Sequence, residues 1–185
     1  MSDKRKLNIK ESFAQALQNH KKNNLQVAEN IYKEILKINP DHFQSIFCLG
    51  TLFLQIKRFD LAKPLLQKTI KMDPNQVMHH NNLGVIFYEL REYQKAISCY
   101  EKAIQINPNY VLAYNNLGKV FGELNEFNKS ANYYEKALKL DPNRKETCGG
   151  YGNLLLKFNQ HSKALSYIKK STGFISFTQK DFKII

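Results

Sequence analysis

The chain has 185 residues, 43% of them apolar, which suits one domain or repeat array with a real core, and no apolar run reaches the roughly 18 residues a membrane span needs. Twenty-eight Lys and Arg against 16 Asp and Glu leave a formal charge of +12, with the excess gathered after Asn143; this fits an anionic partner or, the reading preferred here, a solubilising surface. The three cysteines, Cys48, Cys99 and Cys148, are odd in number and lack Cys-x-x-Cys spacing, so they point to reduced thiols and away from a disulfide frame or a zinc site.

In chain order, the N-terminus "MSDKRKLNIKESF" contains no signal-peptide core, so the cytoplasm is the default location and residues 1–8 are expected to be disordered. From there a period takes over. Prolines fall at Pro40, Pro74, Pro108 and Pro142, and glycines at Gly50, Gly84, Gly118 and Gly152, each 34 residues from the next. A fixed period of this size is the mark of a solenoid. It divides the chain into units 9–42, 43–76, 77–110, 111–144 and a degenerate 145–172.

Each unit reads as two helices. In the fourth, Tyr114, Leu117, Gly118 and Phe121 lie at i, i+3, i+4, i+7, and after the break "NEFN" a second stripe runs through Phe127, Tyr134, Ala137 and Leu138. The breaks "KRFD" and "REYQ" in the earlier units are equally short, which makes neighbouring helices antiparallel. The repeated glycine lies on the inward stripe, where a side chain is expected not to fit. Ala62, Ala96 and Ala164 are expected to supply the matching small face. Asn39, Asp73, Asn107 and Asp141 precede the prolines, and a residue before proline is pushed out of the helical region, so each second helix stops there.

Placed on a wheel of 100° per residue, first-helix positions 2, 6, 9 and 13 point away from the partner helix. They read Gln44, Cys48, Thr51 and Gln55; Met78, Asn82, Val85 and Glu89; Leu112, Asn116, Lys119 and Glu123; and Glu146, Gly150, Asn153 and Lys157. This face mixes amides, apolar groups and few charges. A carboxamide carries an acceptor beside two donors, matching the C=O and N–H of an extended peptide. Asn82 and Asn116 are therefore candidate main-chain contacts, flanked by Asn81 and Asn115. Met78, Val85, Tyr88, Leu112 and Lys119 are candidates for side-chain selection. The competing reading is that these asparagines only bridge helices.

The series Tyr114, Leu117, Gly118, Phe121, Ser130, Tyr134, Ala137, Pro142, and before it His80, Leu83, Gly84, Phe87, Ala96, Tyr100, Ala103, Pro108, resembles the tetratricopeptide repeat. The resemblance covers nearly all of the chain from Ile9 to about Thr172, with departures in the first and last units. It implies an all-α, right-handed α-α superhelix of about five helix pairs, whose first helices line an inner wall that binds extended peptides. The paired Asn82 and Asn116 resemble the asparagine ladder of the O-GlcNAc transferase repeat array.

Other chemistries lack their residues. The inner wall from 43 to 144 offers only Lys119, so a Lys/Arg grip on a terminal carboxylate is not expected. His79 and His80 are adjacent and face different sides, and no metal-ligand or catalytic spacing is found; no cofactor is expected. "GGYG" at 149–152 follows no strand and lacks the Lys and Ser/Thr of a phosphate loop. It is read as a close-packed or loosened first helix. Basic and acidic residues interleave, so neither nucleic acid nor membrane is an expected partner.

The tail 173–185, "GFISFTQKDFKII", breaks the repeat and alternates in a strand-like way. It is read either as a cap on the last pair or as the entry to a further domain. The expected function is a non-catalytic scaffold or adapter holding an extended peptide segment of a protein partner. The alternative is the substrate-recognition region of a larger enzyme of glycosyltransferase, sulfotransferase or oxygenase type. A third reading is self-association through an exposed terminal repeat.

Overall fold

The computed structural model describes residues 8–173, with no strand among them. The chain divides inside α5, between Ile86 and Phe87, into two compact units. The first holds α1 (Ile9–Lys21), α2 (Leu25–Ile38), α3 (Phe43–Gln55), α4 (Phe59–Met72) and most of α5 (Val77–Glu89). The second holds the end of α5 and then α6 (Tyr93–Ile106), α7 (Val111–Glu123), α8 (Phe127–Leu140), α9 (Lys145–Lys157) and α10 (His161–Thr172). The first helix of each pair starts at Ile9, Phe43, Val77, Val111 or Lys145, so starts recur every 34 residues.

The joints repeat as faithfully as the helices. Asn23, Lys57, Arg91, Asn125 and Asn159 all have left-handed backbones, with φ between 58° and 62°. Each follows the first helix of its pair and ends it. Beyond Lys57, the N–H of Arg58 reaches back to the carbonyl of Phe53 at 2.8 Å, while the N–H of Lys57 reaches that of Leu54 at 3.0 Å. This reciprocal pair of bonds closes a helix end and needs one left-handed residue. The second helices stop differently. Asn39, Asp73, Asn107 and Asp141 are extended, with φ between −128° and −144°. The first three also accept a backbone N–H two residues on, at 3.2, 3.1 and 2.9 Å. The side chain thus builds the turn that the following proline locks.

In the first unit the core joins Ala16, Tyr32, Leu49, Phe53, Leu66 and Ile86. In the second, Tyr134, Tyr151, Leu154, Leu155 and Ala164 form a second cluster. The glycines sit where close approach demands them, and Ala62, Ala96 and Ala164 are wholly buried, but the nearest neighbours of Gly50 and Gly118 are larger side chains. A Cβ on Gly50 would lie 3.1 Å from Leu66 Cδ2, and one on Gly118 would lie 2.9 Å from the Tyr134 ring. Gly152 meets the expected alanine, through the Ala164 carbonyl at 3.2 Å, with Ile168 Cγ1 at 2.7 Å. The glycine therefore makes room for a large side chain: Leu66, Tyr134 and Ile168 each fill a notch.

Asn8 caps α1, accepting the N–H groups of Lys10 and Glu11 at 3.1 and 3.4 Å. At the other end Gly173, at φ 85°, closes α10 through its N–H to the Lys169 carbonyl. The remainder of the 1–8 and 173–185 segments lies outside the described residues. Cys148 is buried, whereas Cys48 and Cys99 are half-buried; burial raises the thiol pKa of all three, for Cys99 to about 11.

Candidate functional site: a cleft on the first helices

In the first unit, α5 carries four of the sequence candidates. Met78 is exposed, Asn82 and Val85 are half-buried, and Asn81 is buried. The Asn81 side-chain N–H faces the Asn82 carbonyl oxygen at 3.4 Å. His79 is buried against the rings of Phe43 and Phe47, with centroids 5.3 and 4.4 Å away. His80 Nε2 donates to the Pro74 carbonyl at 2.8 Å. Both histidines are thus packing residues.

The second unit repeats the asparagine pair. Asn115 is 2% exposed and points its N–H toward the Asn116 carbonyl oxygen at 3.5 Å. In both units the first asparagine of the pair is turned inward, and the second lies nearer the surface. Leu112 is half-buried and Lys119 is exposed.

Two of the candidates, Tyr88 and Lys119, meet in one cleft of about 230 Å³. Its α7 wall adds Gly122 and Glu123, and its α9 wall adds Gly150, Asn153, Leu154 and Lys157. Lys119 and Asn153 occupy the same repeat position on their helices, as do Glu123 and Lys157, so the two levels stand one helical turn apart. Lys157 donates to the side-chain oxygen of Asn125 at 2.7 Å. Burial, then Glu123, holds the Tyr88 hydroxyl above its ordinary pKa.

The remaining lining residue, Tyr134, was not foreseen. It belongs to a second helix, α8, and should be wholly core. Its ring fills the notch of Gly118, and its hydroxyl oxygen would stand 2.9 Å from a Cβ on Gly150. An asparagine at position 150, matching Asn82 and Asn116, would occupy that space. Glycine leaves that space to the Tyr134 hydroxyl, and the phenol lines the cleft. The sequence signal was the glycine itself: "GGYG" lies within the intact helix α9, and Gly149, Gly150 and Gly152 each face a close neighbour.

Among the described residues no three of His, Cys, Asp and Glu converge as metal ligands, and no helix is long and apolar enough to cross a membrane.

The tetratricopeptide repeat profile matches residues 79–110 and 111–144. The chain carries tetratricopeptide repeats. No curated protein matches it in sequence. Solved structures do. A crystal structure of MamA is 25% identical, with 85% of this chain and 92% of that one covered and a TM-score of 0.72. A structure of PilF from Pseudomonas aeruginosa is 22% identical over 92% of this chain and 78% of that one, with a TM-score of 0.78. A thermophilic tetratricopeptide-repeat protein of Thermus thermophilus is 19% identical over 89% and 90%, with a TM-score of 0.76. The last two comparisons speak to fold alone, and the fold is the all-α solenoid of tetratricopeptide-repeat helix pairs.

Proposed function

We propose that this protein is an interaction scaffold whose first-helix faces hold an extended segment of a partner protein. The observation that carries the proposal is the cleft of about 230 Å³ walled by α7 and α9. Most of its walls are first-helix residues, and two of its wall positions are glycine, leaving depth where other units have side chains. Pockets of this kind combine apolar walls with a few placed polar groups. Here Tyr88, Tyr134 and Leu154 give the apolar surface, while Lys119, Asn153 and Glu123 give the polar groups.

In this reading Asn82 and Asn116, each half-buried on its own helix, take the C=O and N–H of guest main chain. Met78, Val85, Tyr88, Leu112 and Lys119 select side chains. Asn81 and Asn115, buried as they are, orient the partner amide. The test is binding of a degenerate decapeptide pool to the full chain and to Asn82→Ala/Asn116→Ala. We expect the double variant to bind about tenfold more weakly with unchanged helicity, since each lost amide removes hydrogen bonds of about 0.5–1.5 kcal/mol. Equal affinity of the two proteins discards main-chain capture by these residues.

A further inference from the structure

Acids and bases interleave along the sequence, but folding sorts them. In the second unit the second helices, α6, α8 and α10, carry eight lysines, no arginine and two carboxylates, Glu101 and Glu135. Three of the lysines are held near the helix starts: Lys95 by Glu92, Lys129 by Glu126, and Lys163 by Glu135 at 3.5 Å. The other five, Lys102, Lys136, Lys139, Lys169 and Lys170, lie in the C-terminal halves of their helices and are exposed. None of these five makes an ion pair among the described residues.

Their register aligns them. Lys102, Lys136 and Lys170 recur every 34 residues, each in the third turn of its helix, and Lys139 follows Lys136 on the same face. In the first unit the lysine of this register, Lys68, has an anion of its own: Asp41 at 2.7 Å, with the Pro40 carbonyl at 2.9 Å. The residues that correspond to Asp41 in the later repeats are Asn75, Asn109 and Asn143, so that carboxylate is replaced by a neutral amide. Lys102 instead donates to the side-chain oxygen of Gln105 at 2.9 Å, and Lys136 and Lys170 lie 5.3 and 5.5 Å over the rings of Tyr133 and Tyr167. Two carboxylates lie near the strip. Burial, then Glu101, raises the pKa of the Tyr133 hydroxyl. Burial also raises that of the Cys148 thiol, on which Lys170 and Asp141 act in opposite directions. The five unpaired ammonium groups outnumber these acids, and Leu140, 40% exposed, stands one turn beyond Lys136 among them.

We propose that the C-terminal halves of α6, α8 and α10 form a docking surface for an anionic lipid bilayer, with these five lysines against the headgroups and Leu140 entering the interface. The chemistry favours lipid over nucleic acid. Lysines act as diffuse point charges, where arginine forks would grip single phosphates. The Tyr133 and Tyr167 rings lie beneath lysines and are not free platforms for bases. An exposed leucine amid basic groups gains by insertion into a bilayer interface. The surface is separate from the first-helix cleft, and the inference does not depend on what that cleft holds.

The test is co-sedimentation of the full chain with vesicles of phosphatidylcholine alone or with about one-third phosphatidylglycerol. Binding should require the anionic lipid and fall about tenfold as salt rises from about 0.05 to 0.3 M. Each lysine near such a surface contributes about fivefold to partition, so Lys136→Gln/Lys170→Gln should bind about 25-fold more weakly. Lys95→Gln/Lys129→Gln has the same net charge but alters the paired lysines at the helix starts, and should lose less than about threefold. All four replaced lysines are exposed, so helicity should be unchanged in both variants. A labelled single-stranded oligonucleotide is the rival probe. No binding to the anionic vesicles, equal loss in the two double variants, or binding to the oligonucleotide in place of the vesicles overturns the proposal.

Discussion

Two glycines one turn apart on α7 should respond to alanine with opposite signs. A Cβ on Gly118 would lie 2.9 Å from Cδ1, Cε1 and Cγ of Tyr134, closer than packed carbons approach. The ring cannot retreat easily, because it is buried, its hydroxyl is close to Gly150, and Tyr151 stands behind it at 5.8 Å between centroids. Overpacking of this kind costs about 1–3 kcal/mol, and the rigidity of the ring puts the site toward the upper part of that range. Replacing glycine by alanine inside a helix returns about 1 kcal/mol. The net expectation for Gly118→Ala is a loss of about 1–2 kcal/mol. At Gly122 the new Cβ would find only Ser130 Oγ at 3.4 Å and Leu154 Cδ1 at 3.6 Å, which is ordinary contact. There the helical gain stands alone, and Gly122→Ala should stabilise by about 0.5–1 kcal/mol. Urea unfolding followed by far-ultraviolet circular dichroism measures both. If Gly118→Ala is as stable as Gly122→Ala, the notch is not a steric requirement and the packing argument is wrong.

Two further predictions concern other features of the fold. Lys57→Asn and Arg91→Asn replace long side chains at left-handed positions by the residue that Asn23, Asn125 and Asn159 already supply, and each should raise stability by about 0.5–1 kcal/mol in the same assay. Loss of stability in either variant would mean that the long side chain has a role the backbone does not reveal. The second concerns His79. Its burial, with His80 beside it, lowers its pKa below the ordinary value of 6.5, although Asp73 pulls the other way. The folded chain therefore prefers the neutral ring, and unfolding takes up a proton. Stability should be greatest above about pH 6.5 and decline as pH falls from there toward the folded pKa, levelling below it. His79→Phe should flatten that slope between pH 5 and 7; an undiminished slope would assign it elsewhere.

The fold was legible because the repeat is written in residues with one physical job each. The glycine spacing located the first helices, and the Asn/Asp-Pro pairs located the ends of the second. What lay opposite the glycines was less legible, since a missing side chain says that something approaches but not what. The alanine expected opposite Gly152 is there, but the atoms nearest Gly50, Gly118 and Gly152 belong to Leu66, Tyr134 and Ile168, which fill the notches. The left-handed joints were hidden because Lys57 and Arg91 are not residues that announce such a backbone, although Asn23, Asn125 and Asn159 are. For the cleft, the helical wheel found Lys119 and its level-mate Asn153 from spacing alone. It missed Tyr134 because a wheel treats each helix separately, and the hydroxyl reaches the cleft only through the opening left by Gly150 on the next hairpin. The inward turn of Asn81 and Asn115 was likewise out of reach, since a wheel places them one step from the face without saying how deeply they sink.

The account depends on the first helices, and not the second, receiving the guest. Backbone amide chemical-shift mapping of the full chain with the degenerate decapeptide pool tests this directly. Shifts should concentrate on Asn116, Lys119, Gly122, Gly150 and Asn153, leaving Lys102 and Lys136 on the second helices unmoved. Shifts centred on the second helices, or none at saturating peptide, would contradict it.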